Sequence, residues 1–153
     1  FKQFLRTLTG GRITIGALSL GTAQGGYDAA LRYSQEREAF GKAINKFQGV
    51  SFKLSDMATQ IQAAKHLVYH AAWLKDNGYD VIKEAAMAKL YASEMAMRVT
   101  TEAIQVHGGY GYIKEYDVER FFRDAKILEI GEGTSEVQRI IIGREILKSV
   151  SAA

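Results

Sequence analysis

Apolar residues recur along the chain at helical spacing. Between residues 48 and 76, Val50, Leu54, Met57, Ile61, Ala64, Val68 and Ala71 follow steps of four and three, which places one apolar stripe on a long helix. Asn77-Gly78 ends it, since glycine is the usual residue just past a helix C-terminus. A second long helix, alanine-rich, is predicted from Ile82 to Val106 and stops at His107-Gly108-Gly109. A first helix is predicted from about Arg12 to Arg37. Its Gly16, Gly21, Gly25, Gly26 and Ala29 weaken it in isolation, each glycine costing ~1 kcal/mol relative to alanine. Small residues there predict close packing against a neighbouring helix. A shorter helix is predicted over 117–127 and a last one over 134–149. Loops are predicted at Phe40–Phe47, Gly108–Glu115 and Glu129–Gly133. The pattern predicts an all-α fold, an antiparallel four-helix bundle with an extra short helix.

Composition agrees. The 153 residues suit one domain, 1–153. No proline occurs where average usage would give about eight, as a long-helix chain requires. There is no cysteine, which excludes disulfides, zinc–thiolate sites and a cysteine nucleophile. A net charge of +3 is too small to imply nucleic acid without a basic patch. The longest uncharged stretch, Ile13 to Tyr27, contains polar residues and four glycines, so no membrane span is expected. The chain begins with Phe1, and no targeting segment is recognisable. It reads as a piece of something longer.

Several segments carry residues suited to chemistry. Glu132 stands between Gly131 and Gly133, in a loop just before a helix for which Thr134 or Ser135 is a natural N-cap. The glycines let the backbone approach a ligand and leave the carboxylate uncrowded, as a general base would need. The alternative is a solvated glutamate in a glycine-rich turn. His107-Gly108-Gly109-Tyr110-Gly111-Tyr112 is a second glycine-rich loop, otherwise a plain helix stop. Arg37 and Phe40 put a cation and a ring together at a helix end, suited to a phosphate and a flat heterocycle. His66 and His70 share a helix face but lack further metal ligands nearby, so no metal site is expected. In Glu119–Lys126 interleaved charges favour ion pairs over nucleic-acid contact.

In their order along the chain these segments resemble the C-terminal helical domain of the FAD-dependent acyl-CoA dehydrogenases. The resemblance rests on Gly10-Gly11-Arg12, Arg37-Glu38-Ala39-Phe40-Gly41, Phe47-Gln48, Gln105 through Tyr112, Arg123-Asp124-Ala125-Lys126-Ile127 and Glu132-Gly133-Thr134-Ser135-Glu136-Val137-Gln138-Arg139. It implies α,β-dehydrogenation of an acyl-CoA thioester to a trans-2-enoyl-CoA, with Glu132 removing the α-proton and FAD taking the β-hydride. It implies FAD contacts at Arg37, Phe40, Gln48, Gln105, Val106, His107, Gly108 and Gly109, those residues serving a neighbouring subunit, and at Thr134, Ser135 and Glu136. Substrate contacts are implied at Thr9, Gly10, Gly11, Arg12 and Gly133. A dimer or tetramer follows, with an electron-transfer flavoprotein as electron acceptor, in a bacterial cytoplasm or a mitochondrial matrix. The family's N-terminal helical and middle β-domains have no counterpart in this sequence. Three positions depart from common family residues: Thr9 replaces an aspartate, Gly131 a tyrosine, and Gly11 stands where some relatives carry their base. A flavin-dependent homologue with another substrate, and a non-catalytic helical oligomerisation or nucleic-acid-binding module, are the alternative readings.

Overall fold

A computed structural model describes residues 2–151 and the side chains of residues 9–148. The described residues form five α-helices: α1 (Lys2–Glu36), α2 (Gln48–Asp76), α3 (Ile82–His107), α4 (Val118–Ile130) and α5 (Ser135–Ser151). The positions named for α2 are its buried face, from Leu54 to Ala71, with Val50 half-buried at the edge. Asn77 and Gly78 close that helix: the Asn77 backbone N–H and side-chain amide both donate to the Trp73 carbonyl, and Gly78 takes φ +80°.

Close approach at glycine sets the helix directions. A Cβ on Gly16 would lie 3.2 Å from Val68 Cγ2 and 3.5 Å from the Ala88 carbonyl oxygen. One on Gly26 would lie 3.4 Å from Thr100 Cγ2, and one on Gly25 3.0 Å from the Phe121 ring. Thus α3 runs parallel to α1, while α2 and α4 run opposite, giving an up-down-up-down bundle. Helix α3 touches all four other helices; its buried residues cover about half its circumference, and only Arg98, Thr101 and Gln105 on it are exposed. The core is Ala85, Ala88, Ala92, Met95, Ala96 and Val99 of α3 against Met57, Ile61 and Val68 of α2 and Ile13, Ala23 and Ala30 of α1. Helix α5 packs outside the four, against α3.

Three boundaries differ from expectation. Helix α1 begins at Lys2, ten residues before Arg12, and runs through Gly10-Gly11, whose helix-breaking tendency is overridden by packing against Lys75 and Glu132. The segment expected as a loop after α1 is a tight antiparallel hairpin, β1 (Glu38–Ala39) and β2 (Lys42–Ala43), followed by a 3-10 turn over Ile44–Lys46. Its two-residue loop, Phe40-Gly41, has φ +51° and +79°, the left-handed pair of a type I′ turn. Helix α4 runs three residues past its expected end, to Ile130, which shortens the following loop to Gly131–Thr134. A 3-10 turn over Gly108–Tyr112 occupies most of the loop before α4. Among the described residues no helix is long and apolar enough to cross a membrane.

Candidate active site

The short loop between α4 and α5 is fixed from several directions. The Gly131 N–H donates to the Ile127 carbonyl at 2.8 Å, closing α4. Glu132 then takes φ +56° and Gly133 φ +95°. A left-handed glutamate costs about 1 kcal/mol or more and persists only where its surroundings over-determine it. Two buried side chains donate to carbonyls at this loop. Gln138, fully buried on α5, donates from Nε2 to the Glu132 carbonyl at 3.1 Å and to the Gly133 carbonyl at 2.9 Å. Lys89, fully buried on α3, donates from Nζ to the Glu129 carbonyl at 2.9 Å. Thr134 supplies the N-cap of α5, its Oγ1 facing the Val137 N–H at 3.5 Å, and Ser135 is the first helical residue.

The Glu132 side chain leans on α1. A Cβ on Gly11 would lie 2.7 Å from Glu132 Oε2, so the glycine makes room for the carboxylate. Position 11 and position 132, distant in sequence, occupy the same corner. Arg12 follows, buried, its Nε without a partner. Burial lowers its pKa, and the nearby Glu132 charge partly offsets that. Thr9 and Gly10 lie half-buried on the same stretch of α1. Ser135 is buried with an unpartnered Oγ, while Glu136 is exposed and its carboxyl is held below the usual range by its own backbone N–H and the Thr134 hydroxyl. Glu132 itself is exposed: the enclosure a desolvated base needs is not supplied by this chain.

The second cluster lies at the other end of α1. A cleft of about 490 Å³ is lined by Arg37, Gln105, Val106, His107, Gly108 and Gly109, with Tyr33, Ile44, Tyr110 and Ile113. Six of the expected cofactor residues therefore meet there. Phe40 and Gln48 do not line it: Phe40 stands 96% exposed at the hairpin tip, its ring 6.2 Å from that of Phe47, and Gln48 is exposed at the start of α2. Arg37 lies 5.7 Å from the Tyr110 ring. His107 stacks on Tyr33 at 4.2 Å, and its Nδ1 donates to the Ala103 carbonyl at 2.8 Å, which leaves the lone pair on Nε2. Burial depresses the His107 pKa more than that bond restores it. A Cβ on Gly108 or Gly109 would meet no protein atom within 4 Å, so these glycines face open space.

Lys89, Gln138, Tyr33 and Tyr116 were not singled out from residue type. Lys89 had a readable signal: it shares its helix face with Ala85, Ala92, Ser93 and Ala96, all small. His66 and His70 are exposed, and no cluster of three metal-ligating side chains exists among the described residues. Arg120, Arg123 and Lys126 pair with Asp117, Glu119 and Glu129.

Residues 1–147 match the family model described as the acyl-CoA dehydrogenase C-terminal domain. The chain is 60% identical over 148 residues to the probable acyl-CoA dehydrogenase YngJ of Bacillus subtilis, covering 97% of this chain and 39% of that protein. It is 50% identical over 148 residues to the caffeyl-CoA reductase–Etf complex subunit CarC of Acetobacterium woodii, with the same coverage of each. The butyryl-CoA dehydrogenase structure from Megasphaera elsdenii superposes with a TM-score of 0.95 at 52% identity, over 96% of this chain and 38% of that one. The chain thus spans about two-fifths of the length of the relatives it matches. With the up-down-up-down bundle, the glycine-flanked glutamate and the Arg37 cleft all in place, the chain belongs to the acyl-CoA dehydrogenase family, as the family's C-terminal domain.

Proposed function

We propose that residues 1–153 form the C-terminal domain of a longer flavin-dependent acyl-CoA dehydrogenase in which Glu132 takes the α-proton of an acyl-CoA thioester. The observation that carries this reading is the left-handed backbone at Glu132, held by buried donors so that its carboxylate lies over Gly11 beside Arg12. A carbon acid is weakly acidic, so its base must be placed before the proton moves, and strain stored at that residue fits such a role. FAD, when bound, supplies the two-electron acceptor for the β-hydrogen. Residues of this chain suit that group: Arg37 offers a cation for a pyrophosphate, Tyr110 and the exposed Phe40 offer rings, and Gly108 and Gly109 leave backbone room. Ser135, with its unpartnered buried hydroxyl, is the corresponding donor at the Glu132 end.

Gly11 lies within α1 and Arg37 is the first residue past its end, 26 residues on, about 39 Å at 1.5 Å per residue. The family resemblance assigns the Arg37 end to the FAD of a neighbouring subunit, and the wide separation of the two regions is compatible with the dimer or tetramer that this implies. The same residues serve the reverse reaction: protonated Glu132 then returns the proton to the α-carbon, as a reductase such as the caffeyl-CoA relative would need. An electron-transfer flavoprotein is the proposed redox partner, on the strength of that relative's complex.

The test is single-turnover flavin reduction of the full-length protein mixed with acyl-CoAs. Glu132→Gln is expected to bind substrate and slow reduction by ~10² to 10⁴, the range a positioned base supplies. Glu129→Gln is expected to react at close to the wild-type rate, since that carboxylate pairs with Lys126. Wild-type reduction in Glu132→Gln would overturn the assignment.

A further inference from the structure

Lys89 is the largest fully buried side chain of the described residues, set into the small-residue face of the central helix. Burial pulls its ammonium pKa down; Glu129, Glu94 and Glu136 pull it up, and Arg12 opposes them. An apolar side chain of the same length would avoid that desolvation, and swapping a buried ionic group for a packed apolar one is often neutral or stabilising. Stability alone is therefore a poor account of a lysine here. Its ammonium donates to the Glu129 carbonyl, in the last turn of α4, where carbonyls lack helical partners and the helix dipole is negative. Gln138 is the second fully buried polar side chain at this loop, and its amide reaches the carbonyls of Glu132 and Gly133 from the opposite element. A Cβ on Gly133 would lie 2.9 Å from Gln138 Nε2, so the amide sits hard against the loop.

We propose that Lys89 and Gln138 are positioning residues that clamp the α4–α5 loop by its carbonyls, one from α3 and one from α5, and so hold Glu132 in the left-handed conformation that directs its carboxylate to the α-carbon. Neither side chain touches substrate. Lys89 acts three residues before the base and Gln138 on the base and the residue after it. Three carbonyls are thus pinned within a five-residue stretch, 129–133, by donors from two rigid helices. This rests on the reading of Glu132 as the base.

Lys89→Met and Gln138→Met each remove the donor and keep roughly the volume. In the full-length flavoprotein, each is expected to lower the rate constant of flavin reduction by ~10- to 100-fold, the scale on which small misplacement of a catalytic group acts. The acyl-CoA dissociation constant and the melting temperature should change little. Without substrate, amide hydrogen exchange across residues 130–138 should quicken while exchange in α2 stays as it is. A merely structural role would instead lower the melting temperature, leaving the reduction rate and the 130–138 exchange of the folded protein at wild-type values. That result, with Glu132→Gln inactive, overturns the clamp and leaves the base assignment standing. A Glu132→Gln protein that reduces its flavin normally overturns the base assignment itself. Should Lys89→Met fail to accumulate, Gln138→Met on the outer helix carries the same test alone.

Discussion

The two ends of α1 are built on opposite plans. At Gly11 the Glu132 loop is short, strained and pinned by buried donors. At Arg37 the cleft is wide, its cation is exposed, and its glycines face open space. The contrast fits the roles proposed for the two ends. A base acts on one proton at one distance, so a small displacement costs rate. A charged ligand is held by summed attraction, which falls off slowly with distance and tolerates movement. On the proposed roles, rigidity is concentrated at the end that would act on the proton.

Substitutions at each end sharpen that contrast. At the tight end the informative change is Gly11→Ala. The new methyl would press on the far end of the Glu132 side chain, at 2.7 Å, which must swing aside. Flavin reduction is expected to drop about 10- to 100-fold, while thermal stability holds or rises, since alanine favours the helix by about 1 kcal/mol over glycine. Lower stability with an unchanged rate would contradict the plan. At the open end, Arg37→Met is expected to weaken FAD retention by about 10- to 100-fold, the worth of a charge-assisted hydrogen bond. Reduction at saturating FAD and the melting temperature should not move. A rate loss that added FAD does not restore would show that this end, too, is geometrically critical.

The smallest effect concerns pH. His107 is buried beside the cleft and its folded pKa lies below the ordinary imidazole value, so the native state favours the neutral ring. Its contribution to stability is complete above about pH 6.5 and is lost as pH falls toward the lowered native value, with a slope of at most ~1.4 kcal/mol per pH unit for one proton. Urea unfolding at several pH values between 7.5 and 5 checks this. The His107→Gln protein should show a shallower loss, and an equal slope in both would remove His107 as the cause.

What the sequence could reveal followed the reach of local pattern. The α2 stripe was legible because one face of that helix meets the core and the other meets water. Glu132 draws notice as a carboxylate between two glycines, but residue type alone leaves a solvated glutamate in a turn as the alternative, and only the family resemblance points to a base. The hairpin at Glu38–Ala43 was not, because two-residue strands carry no periodicity. The start of α1 was misplaced because its glycines look like breakers until their neighbours Lys75 and Glu132 are known. Lys89 escaped notice for a related reason. A lysine predicts a solvated face unless the helix is enclosed by others, and only the tertiary arrangement shows that α3 is. Phe40 and Gln48, grouped with Arg37 by resemblance, lie outside the cleft that the other residues line.

The 35-residue α1 also acts as a gauge. Each residue in it advances the chain by about 1.5 Å and turns it by about 100°. A single insertion or deletion between Arg12 and Arg37 would leave both ends chemically intact yet rotate one by more than a quarter turn against the other. A single amino-acid exchange within that span disturbs its own contacts, whereas a change in its length displaces everything beyond it. Length variation among proteins built this way should therefore collect in the connections after α1 and between α2 and α3, and be absent from the rod itself.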